Sequence, residues 1–113
     1  MAESEKADDG IEALLDEMRK EGINGAVVRK DGLKLHSTIA LNDVGANMLA
    51  TVCNVSDAMM KKAGDAQKNL DITFGKTIYV LVPIKDYIFI GSIEDREHKK
   101  TVQEFAAKAE KLL

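Results

Sequence analysis

Cysteine, proline and aromatic residues are nearly missing from this sequence: its 113 residues include one Cys, one Pro, two Tyr, three Phe and no Trp. Each shortage removes a class of function. A single cysteine, Cys53, cannot close an intramolecular disulfide, and no paired Cys/His spacing is present that would hold zinc, which fits a reducing compartment. The formal net charge is −3 and the pI is near 5.4, so phosphate backbones gain nothing by approaching. The scattered lysines and arginines also lack interleaved aromatics on which bases could stack. Nucleic acid is not an expected partner. No run approaches the ~20 apolar residues of a membrane helix, and Met1 to Gly10 is polar and acidic where a secretory signal needs an apolar stretch. The expected location is cytoplasmic.

What is present suits one globular core: 45% of residues are apolar and 31% charged, and a chain of this length is too short for two independent cores. Residues 1–8 carry charge without apolar periodicity and read as a flexible acidic tail, leaving 9–113 as the domain. Asp9 with Glu12 forms a capping-box pattern, and Ile11, Leu14, Leu15 and Met18 follow at helical spacing. Gly22 suits the end of that helix. The period then changes to that of strands. Residues 25–30 and 33–38 flank Asp31-Gly32, a hairpin signal, and Gly25 within the first strand implies a bulge or the close approach of another element.

A long helix is predicted between Asn42 and Gly64, capped by Asn42 or Asp43 and about 30 Å long. Val44, Met48, Val52 (or Thr51), Val55 and Met59 form one stripe. Leu49, Cys53, Ser56 and Met60 form a second, and Ala46, Ala50 and Asn54 a third of small residues. Before Lys61 only Asp43 and Asp57 are charged. A helix so weakly polar all round needs cover on more than one side, and in a domain this small the second cover is expected to be another chain.

Three further strands follow: 69–74, then 77–84, then 87–93 after a Lys85-Asp86 turn. The run 78–82 is apolar on both faces and reads as a central strand. Pro83 suits a sheet edge or bulge. Asp95 is the expected cap of a final helix with Val102, Phe105, Ala106, Ala109, Leu112 and Leu113 inward. The predicted fold is an α/β (α+β) sandwich in the order α-β-β-α-β-β-β-α. It has a five-stranded, mainly antiparallel sheet, the long helix on one face and the two terminal helices on the other.

In motif and order the chain resembles the Roadblock family, the dynein light chain and small-GTPase co-regulator domain. Gly22-Ile23-Asn24-Gly25-Ala26-Val27-Val28 with Asp31-Gly32-Leu33 looks like the family's first strand and hairpin. Residues 79–84 with 86–91 are similar to its closing hairpin. The departure lies at Asp95-Arg96-Glu97-His98, where many relatives carry a glycine. The resemblance implies a homodimer formed through the middle helix and the strand after it. Its pairing surface would include Ala46, Ala50, Cys53, Asp57 and Met60, with Leu70, Ile72 and Phe74 on the edge strand, so that a charge at Ala50 or Cys53 should split the dimer. It also implies a regulator or scaffold for a Ras-like small GTPase, the alternative being a structural adaptor indifferent to nucleotide.

The residues offer no catalytic alternative to binding. Cys53 sits mid-helix among apolar neighbours without a paired base, which suits packing better than nucleophilic attack. His36 and His98 form no dyad, and Asp8-Asp9 and Glu94-Asp95 stand at helix starts where capping accounts for them. No enzyme, metal site or cofactor is expected. A direct contribution to GTP hydrolysis would need an arginine, and only Arg19, Arg29 and Arg96 could serve.

Overall fold

The computed structural model describes the backbone of residues 2–113 and the side chains of residues 10–113. The elements are α1 (Ala2–Lys20), β1 (Asn24–Arg29), β2 (Lys34–Ser37), α2 (Asp43–Lys62), β3 (Leu70–Phe74), β4 (Thr77–Ile84), β5 (Tyr87–Ile93), a 3-10 turn (Arg96–His98) and α3 (Lys99–Leu112). The strands form one antiparallel sheet in the order β2-β1-β5-β4-β3. α1 and α3 lie together on one face and α2 alone on the other, as the expected sandwich requires. No described helix is long and apolar enough to cross a membrane.

Two expectations are corrected. The backbone is helical from Ala2, so Asp9 is an interior helix position rather than the cap. Strong helix formers (Ala2, Glu3, Glu5, Lys6, Ala7) precede it and carry the helix upstream. The stretch 1–8 expected as a tail falls on Met1 and on side chains outside the described residues. β4 is an interior strand as expected, paired with β5 on one side and β3 on the other, and β5 is the middle strand of the five, between β1 and β4. Its Ile88, Phe89, Ile90 and Gly91 are all buried. The C-terminal cap is also split: the Asp95 carboxylate accepts from Glu97 N at 2.9 Å and caps the 3-10 turn, and α3 follows from Lys99.

Strand alternation separates two cores. Val27, Ile78, Val80, Phe89 and Ile93 point toward α1 and α3, where they meet Ile11, Leu15, Met18, Val102 and Phe105. Ala26, Val28, Leu81, Ile88 and Ile90 point toward α2. Pro83 needs no ladder partner on its outer side. β3 pairs with β4 only as far as Leu70 opposite Leu81, so the missing N–H falls beyond the edge strand's reach.

α1 ends where Gly22 takes a φ of +87°. Gly22 N then donates to Arg19 O at 2.9 Å and Ile23 N to Met18 O at 3.2 Å, closing a Schellman motif. The two helices on that face come close to the sheet because Gly25 and Gly91 stand opposite each other on β1 and β5. A Cβ at Gly25 would lie 2.2 Å from Met18 Cε and 2.7 Å from the Ile90 carbonyl, and one at Gly91 would lie 2.5 Å from Val102 Cγ1. The sequence alternative of close approach therefore holds at Gly25. The irregularity in register falls between Val27 and Val28 instead.

Alanine at either glycine overpacks a seated helix. Gly25→Ala and Gly91→Ala are each expected to lower unfolding stability in urea by about 1–3 kcal/mol. Gly25→Ala should cost more, since it meets backbone as well as a flexible methionine tip.

Candidate functional site: an uncovered helix face beside an open sheet edge

The orientation of α2 decides which of its stripes is available. The helix opens at Asn42, whose Oδ1 accepts from Gly45 N at 2.7 Å. Ala46, Leu49, Ala50 and Cys53 are buried against Ala26, Val28, Leu81, Ile88 and Ile90 of the sheet. At two of the four buried positions only a methyl group stands between helix and sheet. The large apolar residues must then turn away, and Val44, Met48, Val52, Val55 and Met59 are 67%, 63%, 44%, 55% and 67% exposed.

This inverts part of the pairing surface that the family resemblance implies. Ala46, Ala50 and Cys53 belong to the chain's own core, so a charge at Ala50 or Cys53 would disrupt folding and not merely association. Asp57 and Met60 lie half-buried on the helix flank, with Asp57 paired to Lys61 at 3.0 Å. On β3, Leu70 and Ile72 are half-buried against the α2 core, and Phe74 is exposed. The exposed stripe was visible as a spacing pattern in the sequence. Its outward direction follows from the small size of Ala46 and Ala50, which marks the contact side.

β3 is the last strand of the sheet and leaves one edge unpaired. Its inner face is held by Asp71, whose carboxylate accepts from Lys99 Nζ at 2.8 Å and lies 3.8 Å from Arg96 Nη1. The helix and this edge run side by side. Gly45, Met48 and Leu49 line an apolar pocket of about 220 Å3 with Leu41, Phe74 and Tyr79, at the Phe74 end of β3. Ser56 and Met60 line a second, more polar cleft with Asn69 and Leu70 at the other end. Of the eight large hydrophobics exposed among the described residues, five are on this stripe and a sixth is Phe74. Such concentration marks an interaction surface rather than scattered surface residues.

Cys53 lies beneath this surface, not on it. Desolvation pushes the Cys53 thiol pKa up, against a smaller pull downward from the Lys30 charge and the Gln67 hydrogen bond. Arg29 is held by Asp31 in the β1–β2 turn with two contacts of 2.9 Å, Arg19 lies 3.3 Å from Asp16, and Arg96 faces Asp71. None of the three arginines lies on the α2 stripe. His36 pairs across from Val27 on the β2 edge and His98 is exposed beyond β5. Among the described residues no group of three His, Cys, Asp or Glu side chains is arranged to hold a metal ion.

A five-stranded antiparallel sheet with one long helix on one face and the terminal helices on the other is the Roadblock-like fold, shared in outline with the profilins. The chain superposes on the gliding protein MglB of Thermus thermophilus with a TM-score of 0.74 at 16% identity, covering 100% of this chain and 89% of that one. A Roadblock/LC7 domain from Streptomyces avermitilis gives 0.72 at 12% identity, covering 88% and 91%. Profilin IA of Acanthamoeba castellanii gives 0.63 at 15% identity, covering 89% and 94%. By sequence alone, no family model and no curated protein matches the chain.

Cys53 supplies a check on the orientation of α2. Buried and with a raised pKa, it should react with an aromatic disulfide at pH 7 at least about 100-fold more slowly in the native chain than in urea. Rapid labelling of the native chain would place Cys53 on the outside of the helix.

Proposed function

We propose that this chain acts as a homodimeric, protein-binding regulator or scaffold for a Ras-like small GTPase, and not as an enzyme. The observation that carries the reading is the apolar surface made by the outward stripe of α2 beside the open edge of β3. A second copy related by a two-fold axis would cover both at once, pairing β3 with β3 into one ten-stranded sheet and laying the two α2 helices side by side. Isologous pairing of this kind needs a self-complementary surface, and an apolar helix face laid antiparallel against its own copy meets that need, with Val44 facing Met59 and Met48 facing Val55.

The GTPase part of the reading rests on the family resemblance and the Roadblock-like fold. It is supported by where the charges lie. The helix pair would offer a broad apolar platform, and every arginine in the chain sits elsewhere, next to an aspartate. A GTPase docked there would be held and shaped by packing, with its own residues carrying any hydrolysis.

Light scattering of the purified protein should give a mass near twice 12.4 kDa. Val52→Glu should give a folded monomer, because a lone charge in a desolvated seam weakens such a dimer by about 100-fold or more. Titration against Ras-like GTPases in their GDP and GTP-analogue states should then show affinities that differ about tenfold or more between states for the true partner. Equal affinities would favour an adaptor role, and a wild-type monomer would refute the dimer platform.

A further inference from the structure

The sulfur atoms of this chain fall into a hidden set and an exposed one. Among the described side chains, Met18 is fully buried in the core under α1 and Cys53 lies at 1% exposure beneath α2. Met48 and Met59 are 63% and 67% exposed on the outward stripe, and Met60 is half-buried on its flank. The inward side of the same helix carries leucine as its large aliphatic residue, Leu49. Leucine and methionine are nearly equal as helix formers and as apolar bulk, so neither the helix nor the stripe requires thioethers outside and leucine inside. What methionine adds is a sulfur lone pair open to oxidants.

A cysteine thiolate would compete for the same oxidants, and here it is withdrawn. Cysteine oxidation follows thiolate character and exposure. Cys53 has neither: it is buried, Gln67 Nε2 sits 3.4 Å from its Sγ, and desolvation pushes its pKa up. At an exposed thioether the chemistry balances with peroxide alone. The sulfur lone pair attacks one oxygen of hydrogen peroxide and the O–O bond breaks. That oxygen stays on sulfur as a sulfoxide, while its proton leaves with the other oxygen as water. Sulfur is oxidised by two electrons and the peroxide is reduced by two. An apolar side chain thereby becomes a polar one, and methionine sulfoxide reductases return it to the thioether.

Resting on the homodimer reading above, we propose that Met48 and Met59 are a reversible oxidation site that switches off the association of this chain. Both sulfurs belong to the face that a partner must desolvate, and a sulfoxide oxygen placed among Val44, Val52 and Val55 has no side-chain donor there to replace water. Only the free chain exposes them, so peroxide captures monomers and the dimer is protected. The fold of the single chain is spared, because both side chains lie outside its two cores.

Peptide mass spectrometry and sedimentation equilibrium on the full chain, before and after hydrogen peroxide, test this. At concentrations low enough to populate monomer, sulfoxide should form at Met48 and Met59 at least about tenfold faster than at Met18, and raising the protein concentration should slow it at the first two alone. The oxidised chain should keep its far-ultraviolet circular dichroism and dimerise about 100-fold more weakly. Methionine sulfoxide reductases A and B should restore the dimer. Met48→Leu/Met59→Leu should dimerise within about threefold of wild type and stay so after the same peroxide treatment. An oxidised wild-type chain that dimerises as tightly as before, or a leucine variant that loses its dimer to peroxide as wild type does, would overturn the switch and leave the homodimer standing. An untreated chain that stays monomeric at every concentration would instead overturn the homodimer reading, and the switch with it.

Discussion

Two methyl groups set the terms for the functional surface. Ala46 and Ala50 are the points where α2 rests on Ala26, Val28, Ile88 and Ile90, and both are buried to 2% exposure or less. A helix seated through these two alanines lies close to the sheet and turns one face to it, on which Leu49 and Cys53 are the only larger side chains buried. The large side chains of α2 are forced outward as a consequence of packing inside the chain. An apolar stripe about 20 Å long is thus presented to whatever lies beyond.

The opposite face solves the same problem with two helices. Gly25 and Gly91 sit side by side in the sheet, where Met18 and Val102 descend into the space a side chain would take. The larger residues of α1 and α3 therefore point inward, and the outward positions are charged. The two faces of one sheet are thus finished differently. One is sealed by a pair of amphipathic helices with solvated backs. The other is sealed by a single helix whose back is as apolar as its front. β3 continues the unsealed side, and the Asp71 contact to Lys99 anchors it from the sealed one.

Much of this was legible in the residues. Period changes located every strand, Asp31-Gly32 marked the first hairpin, Gly22 marked the end of α1, and Gly25 signalled a close approach. The charge-poor length of α2 showed that it needed two covers. Its phase could not be read, because Val44, Met48 and Val52 look more like core residues than Ala46 and Ala50 do, and only the close seating of the helix on the sheet decides which set fits. The start of α1 was misplaced for a different reason: Asp9 and Glu12 make a good capping box, yet the helix formers before them extend the helix past it. The middle position of β5 depends on its pairing with β1, a contact between residues some sixty positions apart that no local pattern encodes.

The central claim is that the outward face of α2 and the free edge of β3 are covered together by a second copy of the chain. Amide hydrogen exchange followed residue by residue across a dilution series tests it most directly. The account predicts that the amides of β3 gain protection as concentration rises, in step with those along α2, while β2 at the other edge of the sheet exchanges at a constant rate. Exchange in β3 that is fast and independent of concentration, with α2 equally unaffected, would contradict it.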